Sequence, residues 1–222
     1  MAELIASLDA VRVRDNLARV RDTIAAATPP GRDPEAVEVL AAVKYVPSDQ
    51  LGALAEAGVT LLGENRAQEL EDKATAWTGR AAFTWDFIGH LQSRKVRQVL
   101  PLVRRIHSVA SDSVLRELAK HGQDSAAEAL IEVNVAGEPG KSGVAPAQLD
   151  DVIARCPLPV VGLMTMPPLA TRPQDSRPHF AALAELAADR GLPELSMGTT
   201  QDYAVAVEEG ATVVRLGSVL FR

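Results

Sequence analysis

The chain has 222 residues, of which 47% are hydrophobic and 23% charged, and its formal net charge is -6. These values are typical of a soluble protein with one large or two small domains. The acidic balance argues against a surface for nucleic acid or anionic membranes. No apolar stretch approaches the roughly 18 residues of a membrane-spanning helix.

The N-terminus lacks the pattern of a secretory signal, so we expect a cytoplasmic protein. Cys156 is the only cysteine, which excludes an internal disulfide and a cysteine-rich metal site. We interpret Cys156 as structural or incidental, because it lies beside Pro157 in an expected loop.

Eight short segments rich in Val, Leu and Ile are typical of strands buried on both faces. Their predicted bounds are residues 37–43, 60–62, 83–88, 105–109, 130–135, 160–166, 194–197 and 212–216. Helical periodicity and helix-start residues fill the intervals between them. The predicted helices cover residues 50–57, 66–77, 94–100, 113–121, 147–155, 179–190 and 201–209, and a long helix over 4–27 precedes the first strand.

Single helices between successive strands predict a parallel sheet, because parallel neighbours need a crossover of about a dozen residues. Eight such units favour a closed (β/α)8 TIM barrel, forming one domain over residues 1–222. No helix is expected after the last strand, so the extra N-terminal helix takes the place of the eighth one. An open doubly wound sheet is the alternative, but no G-x-G-x-x-G follows an early strand.

Lys44 directly follows the first predicted strand. In a barrel, the carboxyl ends of the strands form the rim that carries the active site. A lysine amine at the mouth of a core can lose its proton more easily and attack a carbonyl. The alternative is a strand-end lysine whose ammonium extends into water.

The loops after the last two strands are rich in Gly, Ser and Thr, at residues 196–200 and 217–218. Such residues let backbone N–H groups approach an anion, and these two loops often bind phosphate in barrels. A helix starting near Thr200 would direct its positive end to the same place. Ordinary turns are the alternative interpretation of each loop.

Arg215 lies inside an apolar strand, where a guanidinium is costly unless it is paired or functional. It either points outward between helices or lies inside the barrel beside the phosphate loops. Glu64, Asp202, Glu208 and Glu209 are the candidate partners. A lysine, a phosphate cradle and a buried arginine together suit a phosphorylated aldehyde held as a Schiff base, and pyridoxal 5'-phosphate (PLP) is the obvious member of that class.

Other chemistries have little support. The sequence has no H-E-x-x-H and no cluster with metal-ligand spacing, so we predict no metal. It has no G-x-S-x-G, which argues against a serine hydrolase. His90 and His107 are interpreted as satisfied polar residues rather than catalysts.

Seven motifs carry a resemblance to a known family over nearly the whole chain. They are LAAVK at 40–44, GENRAQE at 63–69, FIGHLQSRK at 87–95, VNV at 133–135 with KSG at 141–143, GLMTM at 162–166, LSMG at 195–198 and VRLG at 214–217. Together, and in this order, they resemble the pyridoxal phosphate homeostasis protein family.

The resemblance implies a barrel like the N-terminal domain of bacterial alanine racemase, with PLP held as a Schiff base on Lys44. It implies that Arg215 approaches the pyridine nitrogen. Nine cofactor-binding residues follow from it: Lys44, Asn65 and Met164 around the ring, Arg215 at the nitrogen, and Ser196, Gly198, Thr200, Gly217 and Ser218 around the phosphate.

The family is regarded as a carrier or regulator in vitamin B6 homeostasis without established catalysis, so no catalytic residue is predicted. The expected partners are PLP and PLP-dependent apoenzymes, and a monomer is expected. A small racemase is the main alternative, but racemisation needs a second base, and neither tyrosine, Tyr45 or Tyr203, matches the position of the one in alanine racemase. A cofactor-free Schiff-base aldolase and a structural scaffold are further alternatives.

The chain departs from the family pattern at three places. Thr199 and Thr200 stand where Met and Ser are usual, and Asp86 stands where histidine is usual. The chain also ends at Arg222, where many relatives continue.

Overall fold

A computed structural model describes residue 5 and residues 7–79 and 83–222. Its centre is a closed barrel of eight parallel strands in chain order, with β1 paired to both β2 and β8. The predicted (β/α)8 architecture is therefore confirmed. The strands are β1 Glu38–Ala42, β2 Leu61–Glu64, β3 Thr84–Phe87, β4 Arg105–Val109, β5 Glu128–Glu132, β6 Val160–Met164, β7 Glu194–Thr199 and β8 Val213–Leu216.

Helices alternate with the strands. Within the described residues they are α1 Ala10–Ala27, α2 Leu51–Glu56, α3 Ala67–Ala76, α4 Val96–Val99, α5 Asp112–His121, α6 Leu149–Arg155, α7 Arg177–Ala188, α8 Tyr203–Glu208 and α9 Ser218–Phe221. No helix in the described part of the chain is long and apolar enough to cross a membrane.

The expectation that no helix follows the last strand is wrong, because the short helix α9 follows β8. The predicted first helix also starts later than expected. Asp9 ends the N-terminal segment by accepting hydrogen bonds from the backbone N–H groups of Val11 and Arg12, and α1 begins at Ala10. The predicted start at Leu4 lies outside the described residues.

Helix α1 nevertheless takes the place expected of it, since it packs against α2, α8 and α9. The Asn16 side chain is buried at this contact and donates to the backbone carbonyls of Leu220 and Arg222, each at 3.0 Å. These bonds satisfy carbonyl groups at the end of α9, which have no partner within the helix.

The predicted strand ends differ from the observed ones by up to three residues. Apolar residues continue beyond the ladder in several places, so composition alone extends a strand too far. After β5, for example, Val133 forms an isolated bridge with Val144 instead of continuing the strand. The predicted helix over 94–100 is only one turn of α-helix between two 3-10 turns, because Pro101 cannot donate to the helix.

Side chains alternate between two environments along each strand. The larger hydrophobic core lies outside the barrel, between the strands and the helices, and contains Ala41, Val43 and Val214 among others. A small second cluster of Leu40, Leu61 and Val213, with Ile88 packed against it, lies inside. Most of the remaining interior is polar, in contrast to the branched apolar layers that fill many barrels.

Charged side chains close the barrel at the amino ends of the strands. Arg105 contacts three carboxylates there, those of Glu38, Glu128 and Glu194, at distances of 3.3, 2.7 and 3.0 Å. Arg104 makes two further hydrogen bonds to Glu38, at 2.6 and 3.0 Å. We call these five residues the barrel floor.

Candidate functional site

Lys44 lies just beyond β1 at the carboxyl end of the barrel. Because Leu40 faces the interior while Ala41 and Val43 face the outer core, alternation directs Lys44 toward the barrel mouth. Its side chain is exposed, and its Nζ lies 5.1 Å from the centre of the Tyr45 ring. The amine is therefore accessible to a ligand in the mouth.

A buried ion pair supports the backbone at Lys44. The Lys73 amine donates to the Glu64 carboxylate and, at 2.8 Å, to the carbonyl of Val43. Glu64 also accepts from the backbone N–H of Asn65 at 2.8 Å. One pair of side chains thus holds the ends of β1 and β2 together, immediately before two of the predicted site residues.

The loops after β7 and β8 lie beside Lys44. Leu40 of β1 pairs with Arg215 of β8, and Arg215 pairs with Thr199 of β7. A Cβ atom at Gly217 would lie 3.7 Å from the carbonyl oxygen of Ala42. Three neighbouring strand ends therefore bring Lys44 and the two predicted phosphate loops to one side of the mouth.

The end of β7 and the turn that follows it are tightly constrained. Gly198 has a φ of +91°, and a Cβ there would lie 2.6 Å from the Cβ of Ala206, so both conformation and space favour glycine. The Asp202 carboxylate accepts from the backbone N–H and the hydroxyl of Thr199, at 2.7 and 3.0 Å. Thr199 is therefore already paired.

The predicted helix start near Thr200 is wrong, because α8 begins at Tyr203 and an acidic residue precedes it. Thr200 itself makes no side-chain hydrogen bond within the described residues, and Ser218 is exposed at the start of α9. The Thr200 and Ser218 hydroxyls thus have no hydrogen-bond partner within the described residues.

Arg215 lies inside the barrel, so the alternative of an outward arginine is wrong. One terminal nitrogen donates to the carbonyl and hydroxyl oxygens of Ser196, at 2.7 and 2.6 Å. The other donates to the carbonyl of Thr165 at 2.9 Å and lies 2.9 Å from the sulfur of Met166, a weak acceptor. The Nε–H of Arg215 donates no hydrogen bond within the described chain.

No carboxylate in the described residues forms an ion pair with Arg215, and the four candidate partners are engaged elsewhere. Glu64 pairs with Lys73, Asp202 binds Ser176 and Thr199, and Glu208 and Glu209 pair with Arg177. Burial lowers the pKa of Arg215 to about 10, although Asp202 and Glu132 oppose this at longer range. A buried, unpaired guanidinium is costly without a ligand.

Ser196, which is predicted to hold the phosphate, has contacts within the barrel that the sequence did not indicate. Its hydroxyl is fully buried, lies 2.8 Å from Nδ1 of His107 and accepts from Arg215. The hydroxyl therefore links the Arg215 guanidinium to the His107 ring, while a role of Ser196 at the phosphate stays a prediction. The sequence interpretation identified the residue but not its neighbours.

Asn65 and Met164 reach the mouth from the two flanking sides. Asn65 follows β2, and its Oδ1 is buried without a hydrogen-bond partner in the described residues. Gly89 packs against it so closely that a Cβ would lie 2.0 Å from the carbonyl oxygen of Asn65. Met164 is buried at the end of β6, opposite Ser196 in the ladder.

The sequence reasoning missed two buried residues below the site. His107 was expected to be an ordinary polar residue, and Asp86 was noted only as a departure from the family. Both are fully buried, and His107 joins Asp86 to Ser196. Their positions within short, mostly apolar strand segments, Asp86 between Trp85 and Phe87 and His107 after Ile106, were the available signal. His90, in contrast, is exposed.

The arrangement suits a flat, phosphorylated ligand with a carbonyl. It offers an accessible amine, a buried guanidinium with unused donor capacity, a buried amide oxygen and a loop with hydroxyl donors. Within the described residues, no group of three or more His, Cys, Asp or Glu side chains could hold a metal ion.

Comparison with known proteins agrees with this geometry. Residues 8–222 match the family described as alanine racemase, N-terminal domain. A pyridoxal phosphate homeostasis protein from Aquifex aeolicus is 39% identical over 203 residues, which cover 86% of this chain and 89% of the relative. The protein of that name from Escherichia coli K12 is 34% identical over 228 residues, covering 94% and 95% of the two chains.

Two solved structures are similar over nearly their whole length. A structure described as an unknown protein from Bifidobacterium adolescentis has 33% identity and a TM-score of 0.82, covering 99% of this chain and 98% of that one. PipY of Synechococcus elongatus, solved with PLP bound, has 30% identity and a TM-score of 0.77, covering 95% and 100%. From its fold, its strand-end residues and these similarities, the chain belongs to the pyridoxal phosphate homeostasis protein family, built on the barrel of the alanine racemase N-terminal domain.

Proposed function

We propose that this protein binds PLP covalently through Lys44 and serves PLP homeostasis without catalysing a reaction of its own. The observation that carries the proposal is Arg215, a buried guanidinium without a carboxylate partner in the described residues, one strand away from Lys44. The PLP bound to PipY, a relative that aligns along its whole chain, supports the same cofactor here.

The residues present fit PLP. When bound, PLP supplies an aldehyde that condenses reversibly with a primary amine. Lys44 is the amine at the mouth, and Arg215 has donor capacity left for the pyridine nitrogen. Because arginine keeps its proton, it would donate to that nitrogen and leave it unprotonated, which makes the ring a weaker electron sink.

The remaining predicted residues fit the other parts of the cofactor. Gly217, Ser218 and Thr200 would hold the phosphate through backbone N–H and hydroxyl groups, and Gly198 shapes that loop. The unpaired Oδ1 of Asn65 would accept from a polar group on the ring. Met164 would pack against the ring from the β6 side.

Support for a non-catalytic role comes from the tyrosines. Racemisation needs a second base on the face of the cofactor opposite the lysine. Tyr45 lies beside Lys44 itself, and Tyr203 lines a surface cleft with Asn16 and Arg19 of α1, outside the barrel. Neither tyrosine is placed as such a base, which favours holding and releasing the cofactor over turnover.

The proposal is tested by titrating the purified protein with PLP. We expect an absorption band at about 420 nm and permanent attachment of the cofactor after borohydride reduction. Lys44→Ala should lose both signals, while Lys141→Ala, which removes an exposed lysine from the loop after β5, should keep them. A wild-type protein that takes up no PLP, or a Lys44→Ala variant that is still trapped specifically, would contradict the proposal.

A second assay separates carrier from racemase. The loaded protein is incubated with alanine in deuterated water, and exchange of the α-proton is followed by NMR. A carrier should show no exchange above free PLP, whereas a racemase should exchange the proton catalytically.

We further propose that the protein acts in the cytoplasm as a monomer and passes PLP to PLP-dependent apoenzymes. Mixing the loaded protein with an apoenzyme should restore that enzyme's activity faster than the same concentration of free PLP does. Equal rates would indicate release into solution rather than direct delivery.

A further inference from the structure

A chain of hydrogen bonds runs through the barrel interior from Arg215 toward the barrel floor. Arg215 donates to the Ser196 hydroxyl at 2.6 Å, and that hydroxyl lies 2.8 Å from Nδ1 of His107. Nε2 of His107 lies 3.1 Å from Oδ2 of Asp86. Asp86 in turn accepts two hydrogen bonds from Arg104, at 3.1 and 2.7 Å.

The two arginines at the ends of this series of hydrogen bonds determine which group donates and which accepts in each bond. Arginine can only donate, so Ser196 accepts from Arg215 and Asp86 accepts from Arg104. An ionised Asp86 must also accept from His107, which places the imidazole proton on Nε2. Nδ1 is then left as an acceptor, and the Ser196 hydroxyl donates to it. In every one of these hydrogen bonds, the acceptor therefore lies on the side of Asp86.

The electrostatics of the interior agree with this assignment. Burial alone would raise the pKa of Asp86, but the hydrogen bonds from His107 and Arg104 outweigh it and lower the pKa. Burial lowers the pKa of His107, and the positive charges of Arg215 and Arg104 lower it further, against the opposing effect of Asp86. An ionised Asp86 beside a neutral His107 is the protonation state that this series of hydrogen bonds requires.

We propose that Asp86, His107 and Ser196 form a one-directional relay that positions the Arg215 guanidinium for the PLP ring. The inference rests on the proposed function, and it assigns these three as positioning residues, since only Arg215 would touch the cofactor. Because the Ser196 hydroxyl donates its hydrogen bond to His107, its lone pairs are free to accept from Arg215. One guanidinium nitrogen is thus held on Ser196 and the other on the Thr165 carbonyl, which leaves the Nε–H and the weak contact with the Met166 sulfur available to a ligand in the mouth.

Asp86→Asn is the sharpest perturbation, because it keeps the shape of the side chain and reverses the relay. The amide oxygen can still accept from Arg104, but the amide nitrogen must then donate to Nε2 of His107. The imidazole proton moves to Nδ1 and points at Ser196, whose own proton loses its acceptor. We expect PLP binding to weaken about tenfold, the cost of one hydrogen bond to a charged group, and the visible band to shift.

A double-mutant cycle detects the relay itself. Asp86 and Ser196 are joined only through His107, so independent residues would give multiplicative losses. In the relay, Ser196→Ala removes the link, and adding Asp86→Asn should then weaken PLP binding by less than about twofold further. His107→Gln, which keeps one acceptor and one donor, should retain more affinity than His107→Leu.

Glu194→Gln is the matched control. It removes one negative charge from the same barrel, but Glu194 belongs to the barrel floor, where it binds Arg105 and Thr212. The Glu194→Gln variant should bind PLP with the same affinity as the wild type. A loss as large as that of Asp86→Asn would show that net charge, rather than bond direction, controls Arg215, and would overturn the relay.

The imidazole proton can be located without the cofactor. Nitrogen NMR of the histidine-labelled wild type, which has four histidines, should show His107 protonated on Nε2 alone. Protonation on Nδ1 overturns the relay even where Asp86→Asn fails to fold. If the wild type binds PLP through Lys44 and Asp86→Asn folds and behaves identically, the relay fails and the proposed function stands. If the wild type takes up no PLP, both fail.

Discussion

Replacing Lys73 with methionine would remove one half of the buried pair that supports Lys44. The Lys73 side chain is 2% exposed and that of Glu64 is fully buried. Methionine fills a similar volume but cannot donate a hydrogen bond. The substitution therefore leaves the Glu64 charge in the protein interior with only the Asn65 N–H as a described hydrogen-bond donor, and it removes the donor to the Val43 carbonyl.

The expected loss follows from this burial. Breaking a buried ion pair on one side typically costs about 3–5 kcal/mol, because a charge remains without compensation. The loss would be a large fraction of the total free energy of unfolding, which is about 5–15 kcal/mol for most domains. In a domain of this size it corresponds to a fall in Tm of about 6–20 °C.

Urea denaturation of the PLP-free protein measures the effect. Lys120→Met is the control, because Lys120 is 62% exposed and pairs with Glu117 on the surface; it should change the free energy of unfolding by less than about 1 kcal/mol. Adding Glu64→Gln to Lys73→Met removes the stranded charge and should recover about 1–3 kcal/mol. A Lys73→Met variant as stable as the control, or a double variant no more stable than the single one, would refute the reasoning.

Three further outcomes are expected. Because hydrogen bonds from His107 and Arg104 outweigh burial and lower the pKa of Asp86 in the folded state, its carboxylate stabilises the wild type above about pH 4. This advantage over Asp86→Asn should shrink as the pH falls through the folded pKa, measured by denaturation at a series of decreasing pH values. In Gly89→Ala, the new Cβ would lie 2.0 Å from a backbone oxygen, so this variant should lower the stability of the fold by about 1–3 kcal/mol in thermal unfolding. Gly52→Ala in α2 has open space and should raise the stability by up to about 1 kcal/mol in the same assay. Arg215→Lys should weaken PLP binding about tenfold or more in equilibrium dialysis, because an ammonium cannot reproduce the planar set of donors.

The sequence was sufficient for the barrel and for the side of the barrel that carries the site. Continuous apolar runs identify buried parallel strands, and the position of Lys44 after the first run places it at the carboxyl end. The same reasoning overlooked α9, since four residues are too few to show a helical period. Strand ends were also imprecise, because apolar residues such as Val133 continue past the ladder.

The interior of the barrel could not be predicted in the same way. His107 and Ser196 are 89 residues apart and lie on strands that are not neighbours, so no local pattern indicates that they meet. Side chains alternate between the two faces of β8, so a shift of one residue in the register of this strand would turn Arg215 from the interior to the outside. The sequence identified Arg215 and Ser196 as interesting but not the contact between them.

The charges of the barrel floor affect the end of the barrel at which an anion can bind. Three carboxylates and two guanidiniums meet there, so the floor carries an excess of negative charge, whereas the cations Lys44 and Arg215 lie toward the opposite end, with Glu132 and Asp202 at longer range from Arg215. A doubly charged phosphate ester would be drawn to that end and repelled by the other, so that ligand exchange has one entrance, and raising the ionic strength should slow association more than it speeds dissociation.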